Sequence, residues 1–293
     1  MATLLVTVIA PTSDAAVYLT RAVASVLGQS YWNIAHIIVA RDHLDYEAQL
    51  RQAGVNDPRV RIIATKRPGE FAASAFNTGV AEARGSIIAP LMPMDLFYAN
   101  RLDSLVSLVQ TFGVATDNRR IVSESSRCDL GTVLPLDGQM RTLEHRLFSH
   151  IMMPVSLVAH RHHFEPDWNT KVGDMYQLVT NLRIVGACKR IPIVPQPLHE
   201  LRLAATGNST LFQQLTTHAS SPEPERVLAE ALVHLDTTPK RMLALHTRRQ
   251  AMLRQEFETS HITDAIRFLG EKRLFAPSGV QPTPYRPAPS HAA

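Results

Sequence analysis

An α/β fold on a mostly parallel sheet, with helices on both faces, is predicted by three observations. Short β-branched runs alternate with helical spacings, turn residues stand at the junctions, and the composition can fill a core. The 293 residues are 45% hydrophobic and 19% charged, close to an average globular chain. Leu4-Leu5-Val6-Thr7-Val8-Ile9-Ala10 stopped by Pro11 has the pattern of a buried parallel strand that must turn sharply at its end. Ser13 and Asp14 are candidate caps for the next segment, where Ala15, Tyr18, Leu19, Ala22, Val23, Val26 and Leu27 recur at helical spacing before Gly28. The unit then repeats. Residues 35–40 read as a strand, 45–53 as a short helix, and 60–65 as a strand before Pro68-Gly69. A small-residue helix over 70–83, ended by Arg84-Gly85, leads to a fourth strand over 86–91.

Residues 101–112 are amphipathic, with Leu102, Leu105, Val106, Leu108 and Val109 inward, and Ile121-Val122 begins a further strand. Two more strands, over 149–160 and 189–194, flank a helix over 174–185, and Pro192, Pro195 and Pro197 push the second toward a sheet edge. Three units are expected: a sheet domain over 1–208, a helical appendage over 209–275, and a proline-rich disordered tail over 276–293.

Composition also excludes classes of function. Cys128 and Cys188 are too few for a disulfide framework or a multi-cysteine zinc site, which fits a reducing cytoplasm. No run approaches the roughly 18 apolar residues of a membrane span, and Met1-Ala2-Thr3-Leu4 lacks a basic signal-peptide start, so a soluble cytoplasmic protein is expected. The formal charge is +4, but the basic residues are scattered and aromatics make up 6%, which argues against a nucleic-acid partner. The basic stretch 239–257, with Lys240, Arg241, Arg248, Arg249 and Arg254, suits either peripheral contact with anionic lipid or packing through Met242, Leu243, Leu245 and Met252. His160, His162 and His163 lack a second ligand set at metal spacing and read as ordinary histidines.

Val6-Thr7-Val8-Ile9-Ala10-Pro11-Thr12, continued by the helix from Tyr18 to Leu27 and by Gly28-Gln29-Ser30-Tyr31, resembles the opening of glycosyltransferase family 2, which has the Rossmann-like GT-A fold. Ile37-Ile38-Val39-Ala40-Arg41-Asp42 is similar to the family's second strand, Ala75-Phe76-Asn77-Thr78-Gly79 to its Arg-Asn-x-Gly helix, and Ala83 to Leu91 to the strand before its metal motif. The resemblance covers about residues 4–110 well and 150–205 weakly. It implies inverting transfer of a sugar from a nucleotide diphosphate sugar, a UDP-sugar first among them, to a glycan or lipid-linked acceptor. Ligands of open α/β sheets lie beyond the carboxyl ends of the strands, so Pro11, Thr12, Asp42, Lys66, Asn77, Asp95 and Arg202 are the expected nucleotide-sugar residues. Asp174 is the expected general base, with Glu165 and Asp167 as competitors.

The departures from the family are as specific as the matches. Leu91-Met92-Pro93-Met94-Asp95 stands where the family reads Leu-Asp-x-Asp-Asp, so Met92 and Met94 replace both metal-motif carboxylates. Thioethers are poor ligands for hard Mg²⁺ or Mn²⁺, and no metal residue is assigned. Arg41 replaces the first aspartate after strand two, Phe76 replaces the helix arginine, and Ala204 stands where a histidine is expected two places after Arg202. Two functions follow: a transferase that holds the diphosphate with cations such as Arg41, Lys66, Arg67 or Arg202, or a catalytically inactive GT-A-like module that binds a glycan or a protein. Each site residue also has a structural role to weigh. Asp42 could cap a turn, Asn77 could bond a neighbouring loop, Asp95 could cap the helix that follows it, and Met92 and Met94 could be packing groups.

Overall fold

The computed structural model describes residues 3–13, 18–65, 72–124, 127, 129–133, 141–143, 155–164, 176–188 and 190–203. The expected appendage and tail, and the basic stretch 239–257, lie outside the described residues, as do Asp14, Lys66, Arg67, Cys128, Glu165, Asp167 and Asp174. Among the described residues, no helix is long and apolar enough to cross a membrane.

The N-terminal half alternates as its sequence pattern predicts. It runs β1 (Val6–Thr12), α1 (Leu19–Leu27), β2 (Ile34–Ala40), α2 (Tyr46–Gln52), β3 (Val60–Ala64), α3 (Ala72–Glu82) and β4 (Ile87–Pro90). There follow β5 (Leu96–Phe97), α4 (Arg101–Phe112), β6 (Val114–Ser123), β7 (Asp129–Thr132), β8 (Arg141–Leu143), β9 (Val158–His160), α5 (Tyr176–Ala187) and β10 (Ile191–Leu203). The sheet order is β3-β2-β1-β4-β9-β6-β10-β5, with β7 on β6 and β8 on β10. β1 pairs in parallel with β2 and β4, β2 with β3, and β6 with β10, whereas β9 runs antiparallel to both β4 and β6. The six strands β3, β2, β1, β4, β6 and β10 therefore point the same way, and their carboxyl ends share one edge.

Side-chain alternation along β1 sends Val6 and Val8 to one face, where they pack with Ala22 and Val26 of α1 and Leu102, Leu105 and Val109 of α4. Ile38 and Ala40 continue that face against Leu19, Val23, Tyr46 and Leu50. Ile9 and Val39 point the other way, toward α3. There a Cβ added at Gly79 would stand 2.4 Å from Ile9 Cγ2 and 3.2 Å from Val39 Cγ2. The glycine of the Asn-x-Gly segment is thus the point where the helix backbone rests on the sheet. Gly85 has the same role before β4: its missing Cβ would lie 2.5 Å from the Leu5 carbonyl, and its N–H donates to Thr7 Oγ1 at 3.0 Å.

Three expectations change. α1 starts at Leu19 after Tyr18, which makes no side-chain cap bond, so Ser13 does not cap it. Ile121 and Val122 lie near the end of the ten-residue β6, not at the start of a strand. β10 is an interior strand between β6 and β5, where the prolines had predicted an edge. It tolerates Pro195 and Pro197 because its register with β6 shifts between Val194 and Pro197 and again between Pro197 and His199, where missing N–H donors break no regular ladder.

His36 sits fully buried on β2, with Nδ1 3.1 Å from the Val8 carbonyl, and burial holds its pKa down at about 4. The unfolded chain takes up that proton below about pH 6.5, and the folded chain does not until about pH 4. Stability therefore falls as pH drops through this window. Between pH 6.5 and 5 the loss from this one group is about 2 kcal/mol, and urea melts of His36→Gln are expected to show a correspondingly flatter pH dependence than the parent.

Candidate active site

The chain order reverses between β1 and β4: β2 and β3 lie to one side of β1, and β4 lies to the other. Such a switch point opens a crevice at the carboxyl ends of the strands. Three backbone bonds shape its floor: Arg41 N–H to Thr12 O at 2.8 Å, Thr65 N–H to Ala40 O at 3.0 Å, and Leu91 N–H to Ile9 O at 3.0 Å.

Pro11 and Thr12 end β1 and are buried, and the Thr12 hydroxyl donates to the Ala10 carbonyl at 3.1 Å. Arg41 and Asp42 follow β2 and are half-buried. Arg41 Nη1 reaches Ser13 Oγ at 3.4 Å, which draws the guanidinium across the end of β1. Asp42 accepts from the Leu44 amide at 3.3 Å and the Tyr46 hydroxyl at 2.7 Å, so its carboxylate is oriented before any ligand arrives. It also braces the turn into α2, whose actual cap is Asp45, accepting from the Ala48 amide at 2.8 Å. Asn77 lies in the middle of α3, half-buried and two residues before the contact at Gly79.

The segment after β4 borders the crevice and turns sharply, with the Asp95 amide donating to Met92 O at 3.0 Å. Exposure alternates along it: Leu91, Pro93 and Asp95 are buried, while Met92 and Met94 are half-buried. Asp95 is only 1% exposed. Its Oδ2 pairs with Arg119 of β6 and lies 3.1 Å from His199 Nε2, and its Oδ1 accepts from the Arg202 amide at 3.3 Å. It does not cap α4 either, since Asn100 holds that position. The inward turn of Asp95 is a correction to both sequence readings.

Arg202 is corrected in the same way. Its side chain is 2% exposed, with Nε donating to Glu200 Oε1 at 2.7 Å and Nη1 2.7 Å from Glu124 Oε2. Glu124 also holds Arg21 of α1 at 2.7 Å, and Tyr98 donates to Glu200 Oε2 at 3.0 Å. Deeper still, Arg101 and Asp117 form a fully buried ion pair at 2.8 Å. The same guanidinium donates to Ser156 O at 3.1 Å and stacks 4.1 Å over Phe97.

Burial drives the titration of this network. It pushes the Asp95 and Asp117 carboxyls up, against the pull of Arg119 and Arg101 respectively, and pushes Arg101 down against the pull of Asp117. Burial, assisted by the positive charges of Arg119 and Arg101, holds His199 well below its ordinary value. Sequence reading missed Arg101, Asp117, Arg119 and His199. The available signal was Thr116-Asp117-Asn118-Arg119-Arg120, a polar run enclosed by apolar residues on both sides.

The resemblance implies a divalent metal at this turn, and the residues present do not fit one. Met92 and Met94 offer neutral sulfur, and the Asp95 carboxylate is already committed inward. Among the described residues, no three His, Cys, Asp or Glu side chains are grouped to hold a metal ion. His160, His162 and His163 form a ring stack at the opposite end of the sheet, with centroids 5.9 and 4.2 Å apart along the series.

A mostly parallel sheet with helices on both faces and a switch point between β1 and β4 is the architecture of a GT-A-type fold. Residues 7–127 match Glycosyl transferase family 2. Glycosyltransferase GlyG of Streptococcus pneumoniae serotype 4 is 31% identical over 107 residues, which are 36% of this chain and 35% of GlyG. The chain thus spans about a third of the length of that relative. Residues 1–349 of S. aureus TarS superpose with a TM-score of 0.62 at 12% identity, over 83% of this chain and 71% of that one. The TarS complex with UDP-GlcNAc gives a TM-score of 0.58 at 12% identity, over 87% and 73%. At these identities the likeness to TarS establishes the fold.

Proposed function

We propose that the chain is a glycosyltransferase of the hexosyltransferase type. It transfers a sugar with inversion from a nucleotide diphosphate sugar to a glycan or lipid-linked acceptor, as in polysaccharide biosynthesis, in the cytoplasm or at the inner face of the membrane. The observation that carries this reading is the family 2 domain whose switch-point crevice gathers Thr12, Arg41 and Asp42. The complexes of TarS with UDP and UDP-GlcNAc support a UDP-sugar as donor.

In this reading Asp42, oriented by Tyr46 and Leu44, accepts from an N–H of the base, and Asn77 of α3 lies near the nucleotide. Arg41, with Lys66, holds the diphosphate, since a guanidinium fork matches phosphate oxygens. Asp174 takes the proton of the acceptor hydroxyl as its oxygen bonds to the anomeric carbon from the face opposite the leaving group. The bond from that carbon to the diphosphate oxygen breaks, and the nucleotide diphosphate departs with the electron pair.

A second reading is favoured by one observation, the replacement of the metal-motif aspartates by Met92 and Met94 beside an inward Asp95. In it the GT-A scaffold is catalytically inactive and binds a glycan or a protein partner. Calorimetric titration with UDP and UDP-GlcNAc separates the two. Saturable micromolar binding is expected, and no heat at millimolar nucleotide would favour the second reading.

A further inference from the structure

We propose that Asp95 is a positioning residue: paired with Arg119 and His199, it fixes the Met92–Asp95 turn beside the crevice from inside the fold, with an internal guanidinium serving where a bound cation would otherwise hold the turn. The part of this that concerns donor binding rests on the function proposed above. The part that concerns the turn does not.

The turn is anchored at three places. The residue before it is tied to β1 through Leu91 N–H to Ile9 O at 3.0 Å, and its two ends are closed on each other by Asp95 N–H to Met92 O at 3.0 Å. Its exit enters β5, which pairs antiparallel with β10 through Phe97 opposite His199 and Leu96 opposite Glu200. The Asp95 side chain is the link between these backbone contacts and the far half of the sheet, because its two oxygens take a charge from β6 and two donors from β10. Arg119 and Asp95 cancel in charge. His199, kept neutral by its surroundings, adds a donor without adding a charge.

The sequence of the turn follows from this arrangement. With the carboxylate turned inward, the alternating positions facing outward are Met92 and Met94. Neutral side chains there leave no carboxylate near the diphosphate to be neutralised. Removing Arg119 would leave a buried carboxylate without its counter-charge, which must take up a proton or turn outward, and in either case the ionic tie between the turn and β6 is lost.

The test is hydrogen exchange on the full chain, comparing parent, Arg119→Gln, Asp95→Asn and the double variant. Arg119→Gln is expected to speed exchange of the amides at 92–97 at least tenfold while β2 and β3 keep parental rates. The double variant, whose pair is neutral, is expected to return the turn to within about threefold of parent. Uniform deprotection of the whole sheet, an unchanged turn, or a double variant worse than both singles would each overturn the proposal. If Arg119→Gln does not fold, Asp95→Asn against the double variant gives the same decision, because a neutral amide facing an uncompensated guanidinium must also loosen the turn. In parallel, UDP is titrated with Mn²⁺ or with EDTA. The parent is expected to bind equally within twofold, and Arg119→Gln to bind at least fivefold tighter with Mn²⁺, since a freed carboxylate and phosphate oxygens suffice for a metal. A parent that binds UDP tenfold tighter with Mn²⁺ would contradict the proposal. A parent that binds no UDP would sink the functional reading and leave the exchange result to decide the role of Asp95.

Discussion

Arg101→Met is expected to destabilise the protein by about 3–5 kcal/mol, because it strands the Asp117 carboxylate in a site with no access to water. Both side chains are fully buried, and Arg101 supplies the pairing contacts to Asp117 through Nε at 2.9 Å and Nη2 at 2.8 Å. The loss extends beyond the pair. The guanidinium also holds the Ser156 carbonyl, and the Ser156 hydroxyl donates to Pro90 O at 3.0 Å at the end of β4. α4, β6 and the strand bordering the crevice are therefore joined through one side chain. Asp117→Asn should cost a comparable amount by leaving the guanidinium unbalanced. The double variant Arg101→Met, Asp117→Leu should be more stable than either single, since a buried ion pair is often no better than apolar groups of similar volume. Denaturant melts of the four proteins check this. Singles within about 1 kcal/mol of parent would mean that water reaches the pair and that the core is not closed as described.

The second large effect concerns chemistry. Asp174→Asn is expected to lower turnover by a factor of about 10² to 10⁴, the usual contribution of a positioned general base, while the affinity for UDP-GlcNAc changes less than threefold. The asymmetry follows from the proposed role, which engages the acceptor proton and not the nucleotide. UDP release in the presence of acceptor, measured beside a calorimetric titration, separates the two quantities. Equal turnover in variant and parent would remove Asp174 from the mechanism and direct attention to Glu165 and Asp167.

The first four strands were legible because each is a short run rich in β-branched residues and each intervening helix keeps one apolar stripe. Gly28, Gly79 and Gly85 mark places where the chain turns or one backbone presses on another, and such steric needs are written locally. The second half was not legible for the opposite reason. β6 buries Asp117, Asn118 and Arg119, and what makes that tolerable lies far along the chain: Asp95 is 24 residues before Arg119, and His199 is 104 residues after Asp95. A charged run whose partners are this remote carries no periodicity. The same distance effect misplaced Asp95 and Arg202, which read as crevice residues by register and prove to be bound to each other and to β6. Pro195 and Pro197 of β10 misled because proline disfavours a central strand only where the ladder is regular, and here the ladder with β6 slips at those residues.

Methionine at positions 92 and 94 does not by itself decide between the two functional readings, because the charge of a diphosphate can be met by guanidinium groups as well as by an ion. What decides is whether nucleotide occupies the switch-point crevice. The most direct measurement is hydrogen exchange of the parent protein in EDTA with and without saturating UDP. Protection confined to residues 10–13, 40–46 and 91–95 is the predicted result, and protection elsewhere, or none, would contradict the account.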